Sequence, residues 1–348
     1  MNKILVTGGC GYIGGHTIVD LIENGFEVIS ADDLSRGSMK MLHGIEKVVG
    51  KPIKNYKVDL CNLDETEAIF GENPDIIGII HFAAFKSVPE SVADPLMYFR
   101  NNFNSLINIL HCAAEFDVNN FVFSSSCSVY GNPSVLPVTE SLPFADPESP
   151  YARTKQVGEA ICSDFTNTNK HFNTVLLRYF NPAGAHPSGL IGEFMEKPEN
   201  VVPVITQTAI GKRSEMTVNG NDYNTRDGSC VRDYIHVCDI ANAHTRALQY
   251  IIEDRNKCNC EIFNLGTGNG VTVLELITAF EKVSGIKLNY KIGPRRIGDV
   301  IEVFANNQRA RTLLGWETKY DLDAMMETSW RWEQALAANA HKKEAVKA

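Results

Sequence analysis

Tyr151 and Lys155 stand four residues apart in PESPYARTKQVGEA, a spacing that puts a phenol and an ammonium on neighbouring turns of one helix face. A phenol, with an ordinary pKa of about 10, serves as a base at neutral pH only where nearby positive charge stabilises its phenolate. Lys155 supplies such a charge. The pair points to removal of a proton from an alcohol, which is half of an alcohol oxidation; the other half needs a hydride acceptor.

The start of the chain provides for that acceptor. Gly8, Gly11 and Gly14 follow the apolar run KILVT and precede a helical pattern opened by Tyr12 and Ile13. Glycines permit the tight turn and let the backbone approach a pyrophosphate at a helix N-terminus, where unpaired N–H groups favour negative charge. Asp32 ends the second apolar run, EVISA, where a carboxylate accepts the two hydroxyls of a ribose. Strand, glycine loop, helix and acid together imply a dinucleotide, and hydride transfer onto it completes the chemistry of Tyr151. Asp33 adds a second negative charge that repels the extra phosphate of NADP, so NAD is the expected cofactor. Arg36 reads either as a partner for such a phosphate or as a solvated surface residue. Asp59, after NYKV, reads equally as a contact to the adenine end or as a turn residue at a strand end.

At 348 residues with 44% hydrophobic content, the chain can fill a substantial core. Its 42 acidic and 33 basic residues give a formal charge of -9, which argues against non-specific binding to nucleic acid or to an anionic membrane. The most apolar stretch, IIGIIHFAAF, is far short of the roughly 20 residues that span a bilayer. MNKILVTGG has too few apolar residues for a secretory signal, and nine scattered cysteines suit reduced thiols, so a cytoplasmic protein is expected. Cys258 and Cys260 lack the second pair that a zinc site needs, and no metal is expected. Cys10 and Cys127 border the glycine loop and the reacting region; they read as targets of thiol reagents or as inert packing residues.

Short apolar runs alternate with helical patterns through KILVT, Tyr12 to Asn24, EVISA, NYKVD, DIIGIIHF, Phe99 to Phe116, NFVFSSS, Tyr151 to Phe165 and TVLLRYF. Buried strands separated by helices imply an α/β fold with a Rossmann-type doubly wound parallel sheet. After residue 180 the loops become rich in Pro, Gly and Asn. Residues 1–180 are therefore expected to form the nucleotide-binding domain, rejoined by about 232–260, and residues 181–348 mainly a smaller substrate-binding lobe, with a tail that frays from about Ala337.

With TGGCGYIGGH, SSSCSVYG, YARTK, RYFNPAGAHPSG and VRDYIHV in this order, the chain resembles the UDP-glucose 4-epimerases (UDP-galactose 4-epimerases) of the extended short-chain dehydrogenase/reductase superfamily, from about Lys3 to Trp332. The resemblance implies transient oxidation of the sugar at C4 by bound NAD, rotation of the 4-keto sugar and return of the hydride to its other face. It makes Tyr151 the base and then the acid, Lys155 its electrostatic partner, and Ser126 the residue that holds the C4 oxygen. It assigns Leu34, Ser35, Leu60, Phe82, Ala83, Ala84, Lys86, Asn101, Ser124 and Phe180 to the cofactor alongside the residues above. To the UDP-sugar it assigns Lys86, Tyr179, Asn181, Asn200, Val201, Thr217, Val218, Asn219, Arg232, Arg296, Asp299 and Val303. Arg295 adjoins Arg296 in the same segment. Asn219 stands where relatives often stack a phenylalanine on uracil, and Val303 where narrow-specificity relatives carry a tyrosine, which leaves room for an N-acetylated sugar.

UDP-glucose and UDP-galactose are the implied substrates, and a homodimer through the helices at Phe99 to Phe116 and Tyr151 to Phe165 the implied assembly. A UDP-uronate 4-epimerase is the nearest rival and would need a cation facing the C6 carboxylate. Dehydratases of the same superfamily place an acidic pair where this chain has Cys127 and Ser128. A non-catalytic sensor of NAD or nucleotide sugars would have no use for Ser126, Tyr151 and Lys155 together.

Overall fold

The computed structural model describes residues 2–195, 198, 200–296 and 300–345. Strands β1 (Lys3–Thr7), β2 (Glu27–Ala31), β3 (Asn55–Tyr56), β4 (Ile76–His81), β5 (Asn120–Ser124) and β6 (Asn173–Tyr179) alternate with helices α1 (Tyr12–Glu23), α2 (Met39–Val49), α3 (Leu63–Glu72), α4 (Val88–Ala93), α5 (Pro95–Glu115) and α6 (Pro150–Thr168). The chain then runs through β7 (Asn181–Ala183), α7 (Val201–Ala209), β8 (Met216–Asn219) and β9 (Val231–His236), and returns to the first layer as α8 (Val237–Ile252) and β10 (Cys260–Leu265). It ends through β11 (Gly270–Thr272), α9 (Val273–Ser284), β12 (Tyr290–Gly293), β13 (Glu302–Val303) and α10 (Leu322–Ala345).

Seven parallel strands form the main sheet in the order β10-β6-β5-β4-β1-β2-β3, the doubly wound arrangement expected from the alternating runs. The strands read as continuous apolar runs because both faces are covered. One face packs Ile4, Val6 and Ile80 against α1, α2 and α8 through Ile18, Ile45, Ile240 and Leu248. The other packs Leu5, Ile79 and Phe121 against α3, α5 and α6 through Phe70, Ile109 and Cys162. Each fully buried aliphatic or phenyl side chain contributes roughly 1.5–3 kcal/mol relative to exposure. A second core, with Val202, Ile205, Met216, Val218, Leu276, Phe280 and Met326, joins α7, α9 and α10 to β8. There β9 pairs with β7, β11 and β13 in a small sheet.

Two helices extend beyond the apolar pattern that revealed them. Each begins with proline in its first turn behind a capping residue: Asp94 accepts from the Met97 N–H at 3.0 Å ahead of α5, and Ser149 from the Ala152 N–H at 3.2 Å ahead of α6. Helix α10 runs through Ala337 to Ala345, where fraying was expected, because AANAHKKEA is built mostly of strong helix formers.

Candidate active site

Register brings the site together. Thr7 of β1 pairs with Ala31 of β2 and with His81 of β4, and His81 pairs with Phe123 of β5. The residues that follow these strand ends, Gly8, Asp32, Phe82 and Ser124, therefore emerge side by side at the carboxyl edge. The chain winds from β1 towards β2 and β3 and then crosses to β4 on the other side. The crevice between β1 and β4 is thus the switch point at which such sheets bind ligands.

Gly8 lies in the left-handed region at φ +67°, and a Cβ there would come within 2.9 Å of the Ala83 nitrogen. A Cβ on Gly14 would lie 2.3 Å from the Gly8 carbonyl oxygen, so only glycine lets α1 start this close to the loop. Gly11 caps α1 with no side chain, which leaves the first N–H groups of Tyr12 and Ile13 for an outside acceptor. Asp32 is 8% exposed, and its two carboxylate oxygens accept the N–H groups of Cys10 at 3.0 Å and Leu34 at 2.9 Å. Burial pushes its carboxyl above the usual range while these N–H groups pull it back. The second lone pair on each oxygen suits ribose hydroxyls. A glycine cradle, an uncapped helix start and an oriented carboxylate fit a dinucleotide.

Around this crevice the other expected cofactor residues divide. Leu34 adopts φ +66°, a strained conformation that turns the loop after Asp32. Asp33 is exposed and binds Ser35, through its N–H at 2.8 Å and its hydroxyl at 2.7 Å. Arg36 pairs with Glu90 at 2.6 Å and lies over the Phe85 ring, the surface role rather than the phosphate role. Asp59 accepts the Cys61 N–H at 2.9 Å as a turn residue. The Leu60 side chain belongs to the core beside Ala31, which leaves a ligand its backbone alone. Phe82 and Ala83 hydrogen bond back to Thr7, and Ala84 follows them along the same loop. Lys86 reaches across to Glu193 at 2.9 Å. Asn101 donates from Nδ2 to Asn102 Oδ1 at 2.9 Å.

The reacting groups meet at the end of β5. Lys155, 5% exposed, donates from Nζ to the Ser124 carbonyl at 2.7 Å. The Ser126 hydroxyl lies close enough to the Tyr151 phenol to favour its ionised form, and Ser124 Oγ and Tyr179 Oη lie 2.6 Å apart. Burial and then the neighbouring Tyr179 push the Tyr151 phenol well above its ordinary value, against a smaller lowering by Ser126. Burial pulls the Lys155 ammonium down to about 8, opposed by Cys162 and Glu159. Lys155 Nζ lies 6.0 Å from the centre of the Tyr151 ring, within electrostatic reach. Cys10 and Cys127 are both pushed up to about 12, first by burial, which leaves them as protonated packing thiols.

The substrate-side residues are spread more widely. Asn181 opens β7, and Asn200 stands ahead of α7 without capping it through its side chain, which leaves the N–H groups of Val201 and Val202 for an outside acceptor. Arg232 on β9 lies beside Val303 on β13, and its Nη1 donates to the Val231 carbonyl at 2.9 Å. Arg296 and Arg295 line a cavity of about 510 Å³ with Tyr223, Asn132 and Leu136, and Arg295 also pairs with Asp222 at 2.8 Å. Tyr151 is not among the residues that line this cavity. On β8 the alternation exposes Thr217 and Asn219 and buries Val218, whose side chain belongs to the second core. Phe180 and Val303 pack together with Val129, Tyr130 and Val138 in a buried cluster. Asp299 lies outside the described residues.

Two buried polar residues next to the site escaped the reading of the sequence. Asn102, 7% exposed, accepts the Phe85 N–H at 2.8 Å and donates to the Phe85 carbonyl at 3.1 Å and to Thr154 at 3.1 Å, tying the loop after β4 to α6. Glu159 repeats the four-residue step from Tyr151 to Lys155, and that periodicity was the available signal.

The family described as GDP-mannose 4,6 dehydratase matches residues 5–329. The chain is 44% identical over 340 residues to a UDP-glucose 4-epimerase of Bacillus subtilis (strain 168), covering 97% of this chain and 98% of the relative. It is 45% identical to UDP-glucose 4-epimerase uge1 of Schizosaccharomyces pombe over 336 residues, 95% of this chain and 94% of the relative. The crystal structure of the Stenotrophomonas maltophila UDP-glucose-4-epimerase, with bound NAD and formylated UDP-arabinopyranose, superimposes with a TM-score of 0.94 at 40% identity, covering 97% of this chain and all (100%) of that one. The Bifidobacterium longum enzyme in complex with NAD+ and UDP gives 0.90 at 40% identity, covering 96% and 98%.

Proposed function

Because the chain belongs to the UDP-glucose 4-epimerase family, we propose that it interconverts UDP-galactose and UDP-glucose with NAD held in the β1–β4 crevice. The observation that carries this reading is the convergence of Tyr151, Lys155 and Ser126 at the end of β5, across β4 from the Gly8–Asp32 cradle. NAD held there would supply a reversible acceptor for the hydride of the sugar's C4. Asp32 holds a ribose and the start of α1 the pyrophosphate. Ser126 orients the C4 oxygen, and Tyr151 removes its proton and later restores it. Lys155 stabilises the phenolate through space. Arg232 and Arg296 hold the sugar's pyrophosphate while the oxidised sugar turns, and forked guanidiniums suit that doubly charged group.

Purified protein should convert UDP-galactose to UDP-glucose without added cofactor, and Tyr151→Phe should abolish turnover while NAD stays bound. A Tyr151→Phe enzyme of nearly full activity would remove the phenol from the mechanism. Formation of a dehydrated sugar would instead favour elimination, for which Cys127 and Ser128 offer no carboxyl pair.

Val303 supports additional turnover of UDP-N-acetylhexosamines, since it is smaller than tyrosine and sits beside Arg232. Val303→Tyr should lower kcat/KM for UDP-N-acetylgalactosamine more than for UDP-galactose, and an unchanged ratio ends that reading. We assign the Rossmann domain to residues 1–180 with α8 and β10, and the substrate lobe to the remainder. The proposed assembly is a homodimer, in which Leu96 (72% exposed) and Ile107 (48% exposed) on α5 would be covered by the partner's helices. No helix among the described residues is long and apolar enough to cross a membrane, and the proposed location is the cytoplasm.

A further inference from the structure

Tyr151, Lys155 and Glu159 recur at every fourth position of α6 and so share one face of the helix. Facing them are three consecutive serines at the end of β5, and each member of one triplet meets a member of the other. Lys155 donates to the Ser124 carbonyl at 2.7 Å, the Ser125 hydroxyl donates to Glu159, and the Ser126 hydroxyl lies near the Tyr151 phenol. The middle serine is also held by its own N–H, which donates to the Leu177 carbonyl of β6 at 2.9 Å.

Glu159 is fixed from behind. Arg178 on β6 grips it with two nearly parallel bonds, Nε to Oε1 at 2.9 Å and Nη2 to Oε2 at 2.7 Å, and the two side chains are 3% and 2% exposed. Arg178 Nη1 donates to Tyr130 Oη at 2.9 Å, and Tyr130 donates to Asn264 at 2.7 Å. Burying two charges is costly, and a well-packed apolar pair is often as stable. Stability alone is therefore a poor reason for this pair to lie directly beneath the reacting groups.

We propose that Glu159, oriented by Arg178, is a positioning residue for the reaction, locking Ser125 so that the serines on either side meet Lys155 and Tyr151. The inference rests on the epimerase reading of the same site. Its negative charge has a second consequence, because it favours the protonated form of Lys155, whose ammonium burial disfavours. The other titratable groups around Lys155 do not share that effect at neutral pH. Burial keeps the Cys162 thiol protonated and holds His81 on β4 neutral, with a pKa of about 3, and Tyr151 is an un-ionised phenol in this state.

Glu159→Gln keeps the shape of the side chain and removes its charge. In NAD-loaded enzyme the alkaline limb of the kcat profile, where Lys155 loses its proton, should move down by about one pH unit, with turnover near that limb falling about tenfold and KM for UDP-galactose little changed. Ser125→Ala leaves the ion pair in place and frees the loop; kcat should fall about tenfold with the alkaline limb unmoved. NMR of Cε-labelled lysines reads the Lys155 titration without turnover, and Glu159→Gln should lower it by the same unit. Should Glu159→Gln fail to fold, Ser125→Ala decides.

Wild-type kcat in Ser125→Ala, or a Glu159→Gln enzyme with a lower melting temperature but an unmoved profile and unmoved Lys155 titration, would overturn the proposal and leave the pair a structural staple. A wild-type protein inert towards UDP-sugars would instead sink the epimerase reading, while the lysine titration still tests Glu159.

Discussion

Replacing Lys155 with methionine tests the electrostatic core of the mechanism. Its Nζ lies 6.0 Å from the centre of the Tyr151 ring. At an effective dielectric near 20, one charge at that distance stabilises a phenolate by roughly 3 kcal/mol, or about two pKa units. The Tyr151 phenol already starts high because burial disfavours its charged form. Removing the ammonium should therefore lower the fraction of active base at neutral pH about a hundredfold, and kcat with it. The wild-type profile should also decline as pH rises through about 8, because the buried Lys155 is charged below that value and neutral above it. Lys155→Met should lack this decline. The assay is chromatographic separation of UDP-glucose from UDP-galactose across the neutral and alkaline range, normalised to bound NAD. A Lys155→Met enzyme that holds NAD and turns over within threefold of wild type, on the order of 0.6 kcal/mol in barrier, would refute the reasoning.

Acid should destabilise the fold through its buried histidines, at pH values above the ordinary carboxylate range. Burial lowers His16, His81 and His236 to about 3 and His244 to about 4, so the folded state keeps them neutral while the unfolded chain protonates them near its ordinary value of about 6.5. Their contribution is complete above that ordinary value and is lost as pH falls towards the folded values. Each contributes about 1.4 kcal/mol per pH unit, and Asp239, raised to about 6, opposes one of them, for a net loss on the order of 4 kcal/mol per unit between about pH 6 and 5. Urea denaturation at the two pH values checks this, and an unchanged unfolding free energy would contradict it. Gly14→Ala should weaken NAD retention about ten- to a hundredfold, since its Cβ would fall 2.3 Å from the Gly8 oxygen and such overpacking costs about 1–3 kcal/mol. Gly71→Ala is the control, because a Cβ there meets nothing within 4 Å; equal NAD content in the two variants would count against the glycine cradle.

The chemistry was legible wherever it is written in local spacing. Tyr151 and Lys155 share a helix face because four residues make about one turn, and Gly8, Gly14 and Asp32 mark a strand, a tight turn and a second strand end within one short unit. The same spacing extends to Glu159, which the reading of the sequence passed over, and nothing in its own neighbourhood announces Arg178, which is brought opposite by the pairing of β5 with β6 and the packing of α6. Side-chain direction was the other gap. Leu60, Val218 and Phe180 were expected to bind ligands, and each turns its side chain into a core, an outcome set by which face of a strand or loop meets apolar neighbours.

The sequence by itself determined the alternation of elements, the cofactor cradle and the base with its ammonium, because helix and strand periodicities and glycine sterics act over a few residues. Only the tertiary structure decided which strand ends lie abreast, that Lys155 is anchored on Ser124, and that a buried ion pair braces the serines that meet both reacting groups. Those contacts join segments far apart in the chain, and sheet register and core packing alone bring them within hydrogen-bonding distance.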